Sequence, residues 1–215
     1  MKTERSVPRD SQPVDNRTRI LTLAVAMARE VGLEGLTIGV LAKQVGMSKA
    51  GLFSHFGSKE ELQLATLEAA RLEFLRAVVA PAERVERGLP RLYSVVFDWI
   101  TMIEALRDCG GCFFSAAATE LDGRPGAVRD RLVEASGQWL DWLRRQIVIA
   151  QERGHIDASI DANQLAFELH AYGQQCNWAA QLMKDETAFE RARRAVRGRL
   201  FEVATDLGRG MIPAK

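Results

Sequence analysis

The stretch TIGVLAKQVGMSKAGLFSHF, residues 37 to 56, decides how the first part of the chain folds. Thr37 is placed to cap a short helix that ends at Val45-Gly46, and Ser48 caps a second that ends at Phe56-Gly57. Between them, Ala42 is small enough for two helices to cross closely, Gly46 can take the positive φ of a sharp turn, and Met47 tucks an apolar side chain beneath it. That order, alanine, then glycine four residues on, then an apolar residue and a serine cap, predicts a helix-turn-helix.

The flanks extend the pattern. Upstream, a helix is predicted from Arg17 to Val31, with Ile20, Ala24, Met27 or Ala28, and Val31 on one face and Gly32 as its C-terminal stop. Downstream, Ser58 with Glu61 forms a capping box for a long helix reaching Ala80-Pro81. Residues 1–15 mix charges of both signs with Pro8 and Pro13 and read as a disordered tail. Beyond Pro81 longer helical periods follow, over 90–108, 113–121, 126–153, 161–184 and 187–207, with Asp161/Gln164 and Thr187/Glu190 as capping boxes. The fold class is therefore all-α: an N-terminal three-helix helix-turn-helix domain over 16–62, joined through the helix at 58–80 to a larger helical domain over 81–208.

Bulk composition narrows the function classes. A chain of 215 residues, 47% hydrophobic, can bury a sizeable core, and its net charge of +1 gives no global pull toward polyanions. No apolar run nears the ~20 residues that span a bilayer, and the polar N-terminus is no secretory signal, so a cytoplasmic protein is expected without membrane partners. Three cysteines argue against a disulfide framework. The local charge is more telling: residues 16 to 60 carry Arg17, Arg19, Arg29, Lys43, Lys49 and Lys59 against Glu30, Glu34 and Glu60. Helix N-termini at Thr37, Ser48 and Ser58 add free backbone N–H groups suited to phosphate. Lys59 in a first helical turn opposes the macrodipole, which points to a phosphate contact rather than to helix stability.

At this point the sequence resembles the TetR-type transcriptional regulators. The resemblance rests on RILTLAVAMAREVGLEGLTIGVLAKQVGMSKAGLFSHFGSKEELQLA, residues 19 to 65, and it covers that family's DNA-binding domain. It implies a repressor or activator that binds double-stranded operator DNA as a homodimer and lets go when a small effector enters the C-terminal domain. By the same resemblance Thr37, His55 and Lys59 would hold phosphates, while Ser48, Lys49, Ala50, Gly51 and Ser54 would face the bases. Lys49 would hydrogen-bond guanine and Ala50 meet a thymine methyl. The chain departs from the family where Phe53 replaces a usual tyrosine, losing a hydroxyl that would touch the backbone, and where Gly51 stands in place of a frequent threonine. A lean set of contacts then shifts specificity toward water and DNA shape. Residues 110–126 resemble a turn found in one subgroup of the family.

The C-terminal helices carry two further patterns. Leu165, Leu169, Tyr172, Cys176, Ala179 and Met183 alternate at spacings of four and three, and Val196, Leu200 and Val203 continue the pattern. With a second stripe at Ala171, Trp178 and Leu182, this predicts a four-helix dimer interface from the last two helices of each subunit. The aromatic residues Trp99, Phe113, Phe114, Trp139, Trp142 and Trp178, with Ile103, His170 and Gln174, predict an apolar pocket with few polar anchors for an uncharged or weakly polar, hydrophobic or aromatic effector.

The pair Cys109/Cys112 forms a C-x-x-C that leaves a redox-sensing regulator, or a thiol oxidoreductase, as alternatives. No second C-x-x-C, histidine pair or βαβ context completes a metal or redox site, and the glycines between the cysteines serve equally as a link between helices. No nucleophile-base-acid set or glycine-rich phosphate loop is assembled, so neither enzyme activity nor a cofactor nor a metal is expected. His155 beside Gly154 reads as a helix C-cap cation.

Overall fold

The computed structural model describes residues 16–213, so the expected tail at 1–15 lies outside the described residues. Among the described residues the chain is helical throughout, with one isolated antiparallel bridge, Ile156 to Ala204, and no helix long and apolar enough to cross a membrane.

Helix α1 (Asn16–Gly35) is broken at Gly32, whose φ of 76° and ψ of 166° interrupt the helix where the sequence placed its stop. Helices α2 (Ile38–Val45) and α3 (Lys49–Phe56) form the helix-turn-helix, with Gly46 left-handed at φ 72°. Their N-caps are made as expected: Thr37 Oγ1 accepts from Val40 N at 3.2 Å and Ser48 Oγ from Gly51 N at 3.0 Å. Helix α4 (Lys59–Phe74) opens on Ser58, whose Oγ accepts from Glu61 N at 3.0 Å. It runs without interruption through a π-helical segment, Leu75–Val79, into α5 (Ala80–Glu83). A small core of Ile20, Ala24, Leu36, Leu41, Ala42, Leu52, Phe56 and Leu62 holds the first four helices together.

The larger part contains α6 (Leu89–Ala105), a 3₁₀ turn at Arg107–Cys109, α7 (Phe113–Leu121), α8 (Ala127–Glu152), α9 (Ala162–Leu182), α10 (Ala188–Val203) and α11 (Asp206–Arg209). Its core runs through α6, α8, α9 and α10. A third cluster, Val25, Ala28 and Leu33 of α1, Leu67 and Ala70 of α4, Phe113, Ala117 and Leu121 of α7 and Val128 of α8, joins the two parts.

Two local expectations are corrected. His155 is not a capping cation: it is buried at 4% exposure and its Nδ1 accepts the Leu89 N–H at 3.3 Å, closing the N-terminus of α6. The Thr187/Glu190 box is not made, because Asp185 Oδ1 accepts both Thr187 N at 2.9 Å and Thr187 Oγ1 at 2.7 Å and orders the turn before α10. Asp161 caps α9 as expected, accepting from Asn163 N at 2.8 Å.

Gly173 marks a close approach in the larger core. A Cβ there would overlap the six-membered ring of Trp99, which crosses α9 at this point. Gly173→Ala is expected to cost about 1–3 kcal/mol by overpacking, outweighing its gain in helix propensity. Urea unfolding followed by tryptophan fluorescence measures it.

Candidate functional site

Two sites are distinguishable. The first is the exposed end of the helix-turn-helix. Leu52 and Phe56 bury one face of α3, which leaves Ser48, Lys49, Ala50, Phe53 and Ser54 exposed, Phe53 at 52%. Gly51, Thr37 and His55 are half-buried at its edges. Several of these groups are already engaged within the chain. Ser54 Oγ donates to Gly51 O at 2.7 Å, which leaves its lone pairs outward. The stem of Lys49 lies over Gly39 of α2, where a Cβ would come within 3.1 Å of its Cε, so the ammonium starts from a folded-back position. Arg17 donates to His55 O at 2.7 Å and stacks its guanidinium over Phe56, tying the start of α1 to the end of α3.

Lys59 departs from the sequence argument. Its Nζ donates to Glu34 O at 2.8 Å and to Glu34 Oε2 at 3.0 Å, so a first-turn lysine has a structural reason for its place. Gln63, buried on the same helix, donates to Leu33 O at 2.8 Å and to Glu34 Oε1 at 3.0 Å. These bonds hold the Glu34 carboxyl below its usual range, Lys59 contributing most. The segment after Gly32 is held from the other side as well: Glu120 of α7 accepts Leu33 N and Glu34 N, both at 2.8 Å. One carboxylate of the larger part therefore caps the broken end of α1, and Glu34 passes that restraint to the start of α4.

The second site is a cavity of about 470 Å³ between α4, the π-helical segment, α6, α7, α8 and α9. Of the aromatic and polar residues expected in a pocket, Trp99, Phe114, Trp139, Trp142, His170 and Gln174 line it. Three do not. Ile103 is fully buried in the main core, Phe113 turns into the cluster beneath α1, and Trp178 stands on the outer surface at 49% exposure. Sequence reasoning missed Arg71, Phe74, Leu75 and Val79, which come from the end of α4 and its π-helical continuation. A π-helical turn shifts the face a helix presents, and it is common at functional sites.

The cavity wall is aromatic and ordered. Trp99 and Trp139 meet edge to face at 5.6 Å, Phe74 and Trp139 at 4.9 Å, and His170 stacks on Trp99 at 5.4 Å. Burial keeps His170 below its ordinary pKa, hence neutral. Ser115 Oγ donates to Gln174 Oε1 at 2.5 Å, and Gln174 Nε2 lies 3.2 Å from His170 Nε2.

The expected dimer seam needs correction. Leu165, Leu169, Cys176, Val196, Leu200 and Val203 are all buried in the chain's own core, where α9 and α10 face α6, α8 and each other. Tyr172 and Ala179 are half-buried beside α10, and Met183 alone of the set is largely exposed. The apolar surface these helices present outward is instead Phe167, Trp178, Leu182, Met183 and Phe201, each 49% to 65% exposed.

The cysteines gain no redox geometry. Cys109 is exposed on the 3₁₀ turn and Cys112 is 2% exposed, its N–H donating to Asn177 Oδ1 at 2.9 Å. Gly110 and Gly111 between them take positive φ and pack tightly, Gly110 against Arg29 of α1. Cys176 is pushed up to about 12 by burial and stays a thiol. The C-x-x-C is a helix link.

The family model "Bacterial regulatory proteins, tetR family" matches residues 20–66, and "Tetracyclin repressor-like, C-terminal domain" matches residues 88–196. Over 109 residues the chain is 41% identical to the HTH-type transcriptional repressor AcnR of Corynebacterium efficiens, covering 45% of this chain and 52% of that protein. The match thus spans about half the length of that relative. A TetR transcriptional regulator from Chloroflexus aurantiacus superposes with a TM-score of 0.79 at 24% identity, over 87% of this chain and 95% of the other. AibR, solved in complex with isovaleryl coenzyme A and operator DNA, gives 0.66 at 20% identity, over 87% and 98%. At such identities the structural likeness is one of fold. The two matched models together run from the first helix to the tenth, and the chain belongs to the TetR family of bacterial regulatory proteins.

Proposed function

We propose that the protein is a cytoplasmic transcriptional repressor that binds a pseudo-palindromic operator as a homodimer and is released when a small hydrophobic or aromatic effector fills the cavity. The observation that carries this reading is the exposed end of α3, where Ser48, Lys49, Ala50 and Ser54 stand clear above buried Leu52 and Phe56. A short helix held by its apolar face, with polar groups at its free N-terminus, suits base edges in the major groove. AcnR is itself a transcriptional repressor, and AibR was solved with both an acyl thioester and operator DNA. Residues 16–62 then serve as the DNA-binding part and 81–208 as the effector-binding and dimerisation part.

A single α3 reads few bases, so useful discrimination needs two, set by a two-fold axis at half-sites roughly 34–36 Å apart. The outward apolar face of α9 and α10 supports dimerisation there, since exposed patches of that kind mark interfaces. Within one half-site we assign Lys49 to a guanine, Ala50 to a thymine methyl, and Thr37, His55 and Lys59 to phosphates. Phe53 keeps the ring of the family's tyrosine without its hydroxyl.

Lys49→Ala is expected to relax base preference, costing about 1–3 kcal/mol on the preferred operator and little on unrelated DNA. Lys59→Ala is expected to weaken binding to all DNA alike and reduce the salt slope by about one per subunit. Fluorescence anisotropy at several salt concentrations separates the two. Equal losses on preferred and unrelated DNA in both variants would remove the base-reading role from Lys49.

A further inference from the structure

The cavity's apolar wall carries charge of one sign. Arg71 and Arg145 line it, and among the described residues no aspartate or glutamate does. Its histidine, His170, is kept neutral by burial. The acidic side chains beside the lining residues of α4 and α8 each have a partner already. Glu68 accepts from Arg71 and Arg131, Glu73 from Arg29, and Glu134 from Arg131 and Gln138, while Asp141 pairs with Arg144 at 3.7 Å.

The two lining arginines differ. Arg71 donates to Glu68 through Nε and Nη2 at 2.7 to 3.1 Å, so its charge is answered within the chain. Arg145 is exposed at the cavity's edge, and among the described residues its guanidinium has neither an ion pair nor a hydrogen bond. It stands at one end of a stripe on α8 that runs from Ala135 through Ser136, Gln138, Trp139 and Trp142, about 15 Å long at the rise of an α-helix. The middle of that stripe is aromatic: Trp139 and Trp142 stack at 6.0 Å, and Phe74 meets Trp139 edge to face. A long apolar floor thus ends at an unanswered cation.

Resting on the reading of the cavity as the effector site, we propose that its occupant is an elongated hydrophobic carboxylate, with its apolar body on Phe74, Trp139 and Trp142 and its carboxylate on Arg145. The planar fork of a guanidinium matches a carboxylate through two parallel hydrogen bonds. An amide or a phenol, uncharged near neutral pH, would use the same apolar floor and gain little from the arginine. An ammonium would meet like charge and no acidic side chain. The body of the ligand also shields the ion pair from water on one side, which makes it stronger than a fully solvated one. The uncharged effector expected from the aromatic residues alone is therefore replaced by one that is charged at one end. The cavity's 470 Å³ falls within the size range of small-molecule sites.

The test uses the full-length protein and one ring system, biphenyl, bearing at one end a carboxylate, a primary amide, a hydroxyl or an aminomethyl group, with binding read by calorimetry. The carboxylate is expected to bind at least about ten-fold more tightly than the amide and the phenol, as a charged hydrogen-bonded pair gives, and the ammonium most weakly. Arg145→Gln is expected to bring the carboxylate's affinity to within about two-fold of the amide's while leaving the amide within about two-fold of its value in the unaltered protein, which also shows that the variant cavity is intact. Arg71→Gln is expected to keep the carboxylate's preference, since that charge is already answered by Glu68.

Binding of the amide or the phenol as tightly as the carboxylate would overturn the proposal, as would a carboxylate that does not bind or a preference that survives Arg145→Gln. A preference lost in Arg71→Gln but kept in Arg145→Gln would overturn it in favour of an anion that displaces Glu68. Operator release is measured separately. A carboxylate that binds with the stated preference yet leaves DNA bound overturns the effector reading and keeps the cavity chemistry. DNA binding with no carboxylate bound overturns the cavity chemistry and keeps the DNA-binding reading.

Discussion

Glu120→Ala is expected to destabilise the chain by about 2–4 kcal/mol and to leave DNA binding unresponsive to whatever fills the cavity, because charged hydrogen bonds contribute about 1.5–3 kcal/mol each and this residue makes two. Its carboxylate accepts Leu33 N and Glu34 N at the turn that Gly32 opens in α1. The same helix faces both ways: Phe114 and Ala118 line the cavity, while Phe113, Ala117 and Leu121 pack against the cluster that includes Val25, Ala28 and Leu33. An occupant that shifts α7 therefore moves the Glu120 clamp. Beyond it, Glu34 is bonded to Lys59 and Gln63 of α4, directly after α3. Glu120→Gln keeps one acceptor and is expected to lie between the two. Urea unfolding gives the stability, and an operator titration with and without the effector gives the coupling. Unchanged stability in Glu120→Ala would remove the clamp from the pathway.

Placing glutamates at Trp178 and Phe201 together is expected to yield a folded monomer whose operator affinity is lower by about a hundred-fold or more, the scale on which a second linked contact strengthens binding. Both side chains are about half exposed, so the isolated subunit loses little on their removal. In a dimer closed by a two-fold axis each charge enters twice and would be stripped of water against apolar neighbours. Analytical ultracentrifugation reads the mass and anisotropy reads the affinity. A variant that stays dimeric would send the interface to another face of the molecule.

How much of this was written legibly in the sequence differs sharply between the two parts. In the helix-turn-helix, local chemistry carries the reading: Thr37, Ser48 and Ser58 cap the helices they precede, and Gly32, Gly46 and Gly57 take the positive φ that their positions require. In the C-terminal helices it does not, because a seam of alternating four- and three-residue spacing looks the same whether its partner is the same chain or a copy. Leu165, Leu169, Val196 and Leu200 found partners at home, and the outward stripe with Trp178 and Leu182 is what remains for a second subunit. The cavity was half legible for a related reason. Aromatic and amide residues on α6 to α9 announce it, whereas Arg71, Phe74, Leu75 and Val79 belong to a helix read as a connector, and no periodicity in sequence marks a π-helical turn. Long-range partners were not legible at all: Glu120 finds the backbone of residues 33 and 34, and Lys59 finds Glu34, only once α1 breaks at Gly32.

The most direct measurement of the central reading is recovery of the DNA fragments that the purified full-length protein retains from its own genome, followed by stoichiometry on the most enriched one. The account predicts a two-fold-symmetric motif with half-site centres roughly one helical turn apart, occupied by chains in multiples of two, and its loss in Lys49→Ala. Fragments without a shared symmetric motif, or a single chain bound per site, would contradict it.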